Sequence, residues 1–224
     1  MTHKKKVLVV AAHPDDEILG CGGTMALHVD KGDDVYVVFM ADGVASRLGK
    51  DNSVIDRGSA AENAAKILGV TSVENLDFPD NSMDSVPLLD VTKAIEAKIE
   101  KLQPKVIYTH HLGDLNVDHQ ITHKAVMTAC RPQPDFCVKE IFAFEVLSST
   151  EWQTPGYFPF MPNVFVDIGK QIDVKRKALE AYSKEMRQPP NSRSIENSIR
   201  LNALRGNTVG VEYAESFVLL RKIK

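Results

Sequence analysis

The sequence has few cysteines and no long apolar run. Its three cysteines, Cys21, Cys130 and Cys137, are odd in number and form no CxxC pair. This excludes a disulfide-stabilised scaffold and a zinc knuckle. No apolar stretch approaches the roughly 18 to 20 residues that a membrane span needs. The basic start is followed by only a short apolar run, so no signal peptide is expected. These absences predict a cytoplasmic protein that does not insert into a membrane.

The sequence also lacks a strong excess of charge. Its formal net charge of −3 provides no basic surface for nucleic acid, and we expect no nucleic-acid partner. Of its 224 residues, 43% are apolar and 25% are charged, as in ordinary globular proteins. The sequence contains no internal repeat and no convincing linker. A single domain over residues 1–224 is therefore predicted, and whether it forms a homo-oligomer stays open.

Short β-branched runs alternate with helical patterns as far as residue 130. Strands are predicted at Val7–Ala12, Val35–Ala41, Ser72–Phe78 and Lys105–Thr109, and helices at Asp16–Lys31, Arg57–Leu68, Asp90–Leu102 and Asp118–Cys130. In the last third, strands are predicted at Glu140–Val146, Val164–Val166 and Phe217–Arg221, and helices at Asp173–Met186 and Ser194–Arg205. Such alternation is typical of a mainly parallel sheet with helices on both faces. The predicted fold class is α/β, a Rossmann-like three-layer α/β/α arrangement.

An acidic motif follows the first predicted strand. It reads His13-Pro14-Asp15-Asp16-Glu17, and one interpretation is a well-capped helix start, since carboxylates complement the positive helix end. Ligands, however, bind at the carboxyl ends of strands in open α/β sheets. An imidazole and a carboxylate three residues apart, His13 and Asp16, can converge on one ion. Asp15 then remains for proton transfer. The spacing leaves both interpretations open.

A second motif follows the fourth predicted strand and ends in Asn116-Val117-Asp118-His119. Asp118 alone is a natural helix N-cap. His119, however, is a second imidazole at the same predicted edge, and two histidines, one carboxylate and water form a normal catalytic zinc site. His119 and His123 have HxxxH spacing, but Gln120 stands where a zinc protease needs glutamate. His123 is expected on the helix surface, and His28 is expected to be exposed.

Together the two motifs, AHPDDE and the distant Asp118-His119 pair, resemble the PIG-L/LmbE-like family of zinc-dependent N-acetyl sugar deacetylases. The resemblance covers most of the chain, as far as Tyr213-Ala214-Glu215-Ser216-Phe217. It implies that His13, Asp16 and His119 bind zinc, although iron or cobalt suits the same donors. It implies that Asp15 is the catalytic base and that Asp118 supports the ligands.

The resemblance also suggests substrate-binding residues. Many members have a histidine where this chain has Asn116, whose amide donates a hydrogen bond but no proton in acid catalysis. Asp15 is then expected both to take a proton from the attacking water and to give it to the departing amine. Arg57 is the nearest match to a family arginine that holds substrate, with Arg47 second. Tyr213 matches a tyrosine near the zinc in some relatives, or is a packed strand residue. Asp42, at the end of the second strand, is expected to contact sugar hydroxyls.

The implied reaction is removal of an N-acetyl group from an amino sugar, a sugar conjugate or a nucleotide sugar, with release of acetate. A zinc amidase acting on another amide, such as a thiol conjugate, is an alternative. A second alternative is a non-catalytic sugar-binding protein, and the only support for it is Asn116 in the place of the family histidine. A plain nucleotide-binding α/β domain is weaker still, because no GxGxxG motif follows a strand.

Overall fold

The structure is a computed structural model that describes residues 4–41 and 54–224. Its strands are β1 (Lys6–Ala11), β2 (Asp34–Ala41), β3 (Ser72–Phe78), β4 (Val106–His110), β5 (Glu140–Phe144), β6 (Val164–Asp167) and β7 (Ala214–Lys222). Its α-helices are α1 (Asp16–Asp30), α2 (Val54–Leu68), α3 (Leu88–Leu102), α4 (Val117–Ala129), α5 (Ile172–Ala181) and α6 (Ile195–Asn207). In these two ranges, no helix is long and apolar enough to span a bilayer.

The strands form one sheet in the order β3-β2-β1-β4-β5-β7-β6. The first five in this order are parallel to one another, whereas β7 runs antiparallel to both β5 and β6. The chain builds outward from β1 to β3 and then returns to β4 on the other side of β1. A crevice therefore opens between the carboxyl ends of β1 and β4, where ligands bind in such sheets.

Both faces of the sheet are covered, because successive side chains of β1 point to opposite faces and all but the first are buried. Val7 and Val9 belong to the apolar cluster that includes α1, α2 and α5. Leu8 and Val10 belong to the cluster that includes α3 and α4. The predicted three-layer α/β/α fold with a mainly parallel sheet is thereby confirmed.

Helix α1 is broken, a feature the sequence analysis did not predict. Cys21 has non-helical angles (φ −148°, ψ 24°). The buried Lys175 donates to the carbonyl of Leu19 at 3.2 Å and pairs with Glu215 at 2.6 Å. Glu215 in turn accepts the backbone N–H of Gly23 at 2.9 Å and a second one from the next residue. The ion pair thus caps both sides of the break, as helix ends require.

Candidate active site

The two sequence motifs meet at the crevice between β1 and β4. His13 follows β1, Asp16 begins α1, and His119 lies in the first turn of α4. All three side chains are buried and line a cleft of about 380 Å³. The cleft lies within the size range of small-molecule sites, about 300–1,000 Å³.

Three donor atoms converge at the base of this cleft. Oδ2 of Asp16 lies 3.3 Å from Nδ1 of His13 and 3.1 Å from Nε2 of His119. All three donors lie within 4.8 Å of one another. Two other His/Asp groups near by also bring possible ligand atoms together. One group contains Asp114 and the other contains Asp118, and these two carboxylates are fully buried and do not line the cleft.

Carboxylates behind the two histidines fix which nitrogen faces the cleft. Nε2 of His13 lies 3.0 Å from Asp118 and 3.2 Å from Asp80. Nδ1 of His119 lies 3.1 Å from Asp114. Nδ1 of His13 and Nε2 of His119 therefore face Asp16, and they can coordinate an ion once the protons on these two nitrogens are displaced. Carboxylate–histidine pairs of this kind orient metal ligands, and two nitrogens with one oxygen fit zinc.

The charges of the site also fit a cation. Burial lowers the pKa of His13, but hydrogen bonds to Asp118, Asp16 and Asp80 outweigh it and hold that pKa well above its usual value. Burial likewise opposes protonation of His119, yet Asp16 and Asp114 raise its pKa to about 9. The excess of carboxylates therefore favours the protonated form of both imidazoles, and a bound metal ion would supply that positive charge instead. Metal binding at such a site displaces protons.

Asp15 lies beside the metal-ligand set but is not part of it. Its carboxylate is fully buried and its backbone is left-handed, with φ 104°. Arg193 lies 2.5 Å from Oδ1 of Asp15 and 3.8 Å from Oδ1 of Asp16, and Arg57 lies 3.5 Å from Oδ2 of Asp15. The predicted base is therefore held by two guanidinium groups. Sequence reasoning missed Arg193, because no local pattern in the segment between α5 and α6 indicates it.

Asn116, not Asp118, caps helix α4, so the N-cap interpretation of Asp118 was wrong. Asn116 has extended backbone (φ −70°, ψ 129°), and its side-chain oxygen accepts the Asp118 N–H at 2.8 Å. Asp118 already lies within the first turn, and its carboxylate turns towards His13 and accepts the Met83 N–H at 3.0 Å. The Asn116 amide lines the cleft and donates to Asn81 at 3.1 Å.

The predicted substrate residues differ in their placement. Arg57 lines the cleft and also pairs with Glu185 at 3.1 Å. Tyr213 directly precedes β7 and is not among the described residues that line the cleft. Asp42 and Arg47 lie outside the described residues.

Two further histidines near the site are buried. No sequence pattern singled out His110, and His123 was expected on the helix surface. His110 ends β4 and stacks on His119 with ring centroids 3.9 Å apart. Its Nε2 accepts the Ala12 N–H at 2.8 Å, and burial and the neighbouring His119 keep its pKa well below the usual value. His123, expected at the surface, is buried, and its Nδ1 donates to the His110 carbonyl at 2.8 Å, which satisfies the buried ring nitrogen.

The fold and the site define an α/β domain with a buried His–Asp–His donor set at the switch point of its sheet. Residues 8–130 match the PIG-L family, described as GlcNAc-PI de-N-acetylase. The match spans more than half of the chain, which therefore belongs to that family.

Several relatives are named as deacetylases, and two of them show the range. The chain is 32% identical to an uncharacterized deacetylase, YaiS, of Escherichia coli K12, over 80% of this chain and 91% of that protein. It is 29% identical to the diacetylchitobiose deacetylase of Thermococcus kodakarensis, over 81% of this chain and 70% of that protein.

A solved structure with the same fold is named for a different reaction. GalB, the 4-carboxy-2-hydroxymuconate hydratase of Pseudomonas putida KT2440, superposes with a TM-score of 0.74. The two chains are 25% identical, and the match covers 98% of each.

Proposed function

We propose that this protein is a zinc-dependent hydrolase that removes an N-acetyl group from an amino sugar or a sugar conjugate. The convergence of His13, Asp16 and His119 at the base of a polar cleft carries the proposal. Membership of the GlcNAc-PI de-N-acetylase family and two relatives named as deacetylases support it. The three free cysteines are buried, which suits a cytoplasmic setting.

His13, Asp16 and His119 would hold the zinc ion. When bound there, zinc would polarise the acetyl carbonyl and lower the pKa of a water molecule to about 7. Asp118, Asp80 and Asp114 keep both imidazoles in the tautomer that ligation needs.

Asp15 is the group placed to move protons. Arg193 bridges its carboxylate to that of Asp16, so the base stays beside the ligand set without joining it. Asp15 removes a proton from a water molecule, whose oxygen attacks the carbonyl carbon of the acetyl group. The C–N bond then breaks, and Asp15 returns the proton to the departing nitrogen. One water molecule is consumed, and acetate and a free amine leave.

Other residues of the cleft would bind the substrate. The Asn116 amide N–H donates to the carbonyl oxygen as that oxygen gains negative charge. The Arg57 guanidinium, at the wall of the cleft, donates to sugar hydroxyls. Roles for Asp42 and Tyr213 in substrate binding stay predictions.

A hydratase is the second candidate, because GalB shares the fold over 98% of both chains. Both reactions begin with the addition of water to an electrophilic carbon, which is the carbonyl carbon itself in an amide and a carbon of a double bond in the hydratase substrate. The hydratase reaction adds water to a carbon–carbon double bond and releases no acetate. Acetate is therefore the product that separates the two candidates.

The decisive experiment measures acetate release by the zinc-loaded protein from free, nucleotide-linked and lipid-linked N-acetyl sugars. Thiol-conjugate amides and unsaturated carboxylic acids complete the panel. Asp15→Asn should keep zinc and lose about 10²–10⁴ in rate, whereas His13→Ala should lose zinc. Asp84→Asn, at an exposed site, is the matched control and should match wild type. Full turnover in folded Asp15→Asn, or hydration without acetate release, would sink the proposal.

A further inference from the structure

Asp15, the proposed base, has a backbone conformation that residues other than glycine seldom adopt. Its angles are φ 104° and ψ −27°, in the left-handed region where a side chain crowds its own backbone. Such a conformation persists only where surrounding contacts hold it, and conformations of this kind cluster at functional sites. The contacts that hold the Asp15 backbone therefore determine where its carboxylate lies.

Glu17 holds the backbone of Asp15 from two positions further along the chain. Its Oε2 accepts the Asp15 N–H at 2.9 Å, and the Glu17 side chain is buried. A glutamate in the first helical turn often reaches back in this way to cap a helix. In an ordinary cap the preceding side chain also accepts a helix N–H, but the Asp15 carboxylate accepts none and pairs with Arg193 instead. The Glu17 contact therefore serves the placement of Asp15 as well as the helix end.

Tyr182 fixes the other oxygen of the Glu17 carboxylate. Its hydroxyl donates to Glu17 Oε1 at 2.7 Å, and the tyrosine is buried at the end of helix α5. Both oxygens of Glu17 are thus engaged, which fixes the orientation of the carboxylate. Neither Glu17 nor Tyr182 is among the described residues that line the cleft. They can affect the reaction only through the residues that they position.

The same end of α5 also reaches the side chain of Asp15. Glu185 donates its backbone N–H to the Tyr182 carbonyl at 2.8 Å, and its carboxylate pairs with Arg57 at 3.1 Å. Arg57 in turn lies 3.5 Å from Oδ2 of Asp15. One segment therefore supports the Asp15 backbone through Tyr182 and the Asp15 carboxylate through Arg57.

We infer that Glu17 and Tyr182 are positioning residues that keep the base, Asp15, in its left-handed conformation beside the metal-ligand set. Without the Glu17 contact, the Asp15 backbone relaxes towards the right-handed region, and the carboxylate leaves the place where it takes a proton from water. The inference rests on the proposed function for the role of Asp15. It adds that turnover depends on a tyrosine that lies outside the cleft.

Crystal structures of zinc-loaded variants test the inference without relying on turnover. Glu17→Met removes both contacts with a side chain of similar length, whereas Glu17→Gln keeps an oxygen for the Asp15 N–H. In Glu17→Met we expect Asp15 to leave the left-handed region and to lose its contact with Arg193. Glu17→Gln should keep the wild-type backbone. An unmoved Asp15 in Glu17→Met would overturn the inference, whether or not the wild type releases acetate.

The kinetics of acetate release provide the second arm. Glu17→Met should lower kcat about 10²-fold and Tyr182→Phe about tenfold, since small displacements of a catalytic group have effects of this size. KM and zinc affinity should not change, and Glu17→Gln should retain most of the activity. Tyr108→Phe is the matched control, because it removes another buried hydroxyl, 3.0 Å from His28 and outside the set that lines the cleft. It should lose stability but keep kcat.

A double-variant cycle separates positioning from a purely structural role. In the Asp15→Asn background, Tyr182→Phe should lower the residual kcat no further, because the group that it positions is already absent. An equal loss in both backgrounds, or wild-type kcat in Tyr182→Phe, would contradict the inference. Should Glu17→Met fail to fold, this cycle alone decides. If Asp15 moves in Glu17→Met but the wild type releases no acetate, the positioning role is supported and the deacetylase proposal fails.

Discussion

The Arg193 guanidinium lies 2.5 Å from the Asp15 carboxylate, although 178 positions separate the two residues. Asp15 is fully buried, and a buried carboxylate needs a charged or hydrogen-bonded partner. Arg193 also donates to the Ser148 hydroxyl at 3.0 Å. The segment between α5 and α6 therefore supplies a charge that the site at the end of β1 requires.

Arg193→Met should impair both stability and activity. Removing one partner of a buried ion pair costs about 3–5 kcal/mol, and a misplaced base costs on the order of 10²-fold in rate. Urea unfolding and kcat/KM for acetate release measure the two effects. Arg200→Met, on the exposed side of α6, is the control. If Arg193→Met behaved like Arg200→Met in both assays, the pairing with Asp15 would have no role.

Asp114→Asn should weaken metal binding. The amide no longer accepts the His119 N–H as a carboxylate does, and loss of such a backing group typically costs 10–100-fold in metal affinity. Competition with a chromophoric chelator measures the zinc affinity. Asp173→Asn, in the exposed first turn of α5, should keep wild-type affinity. Unchanged zinc affinity in Asp114→Asn would show that His119 does not depend on this contact.

Lys175→Met should destabilise the fold by about 3–5 kcal/mol, because it leaves the buried Glu215 carboxylate without its cation. The free energy of unfolding in urea measures the loss. Lys177→Met, on the exposed side of the same helix, should change stability little. A double variant, Lys175→Met with Glu215→Gln, should recover part of the loss, since no uncompensated charge remains. A single variant as stable as wild type would contradict the proposed cap of α1.

His28 should make stability depend on pH. Burial lowers the pKa of His28 below 6.5, against the opposing hydrogen bond to Asp33. The unfolded chain therefore binds this proton more readily, and stability falls as the pH drops below about 6.5. In zinc-saturated protein, His28→Gln should lose less unfolding free energy than wild type between about pH 7 and pH 5.5. Equal slopes for both proteins would show that His28 titrates alike in both states.

The sheet could be predicted from the sequence because its central strands are buried on both faces. Such strands appear as continuous β-branched runs, as in β1 and β2, and their carboxyl ends locate the site. The placement of His13, Asp16 and His119 together follows from this rule. The rule cannot indicate which distant side chains complete the site, since it concerns only the ends of strands.

The features that could not be predicted depend on contacts between distant segments. Trp152 and Arg193 reach the cleft from irregular segments without a local pattern. His28 was expected to be exposed, but its Nε2 lies 3.0 Å from the Tyr108 hydroxyl on β4. Helix α1 was predicted as continuous, and the break at Cys21 is stabilised by Lys175, from a helix far along the chain. Local propensity does not contain such information.

The position of β7 has a consequence for synthesis on the ribosome. β7 follows every other strand of the described chain, yet it lies between β5 and β6. A nascent chain that ends after β6 therefore leaves unpaired the edge of β5 and the edge of β6 that face β7 in the finished sheet, and such edges are sites for pairing with other chains. The nine residues of β7 close both edges at once when they emerge. Aggregation during translation should therefore be governed by the delay between the appearance of β5 and that of β7.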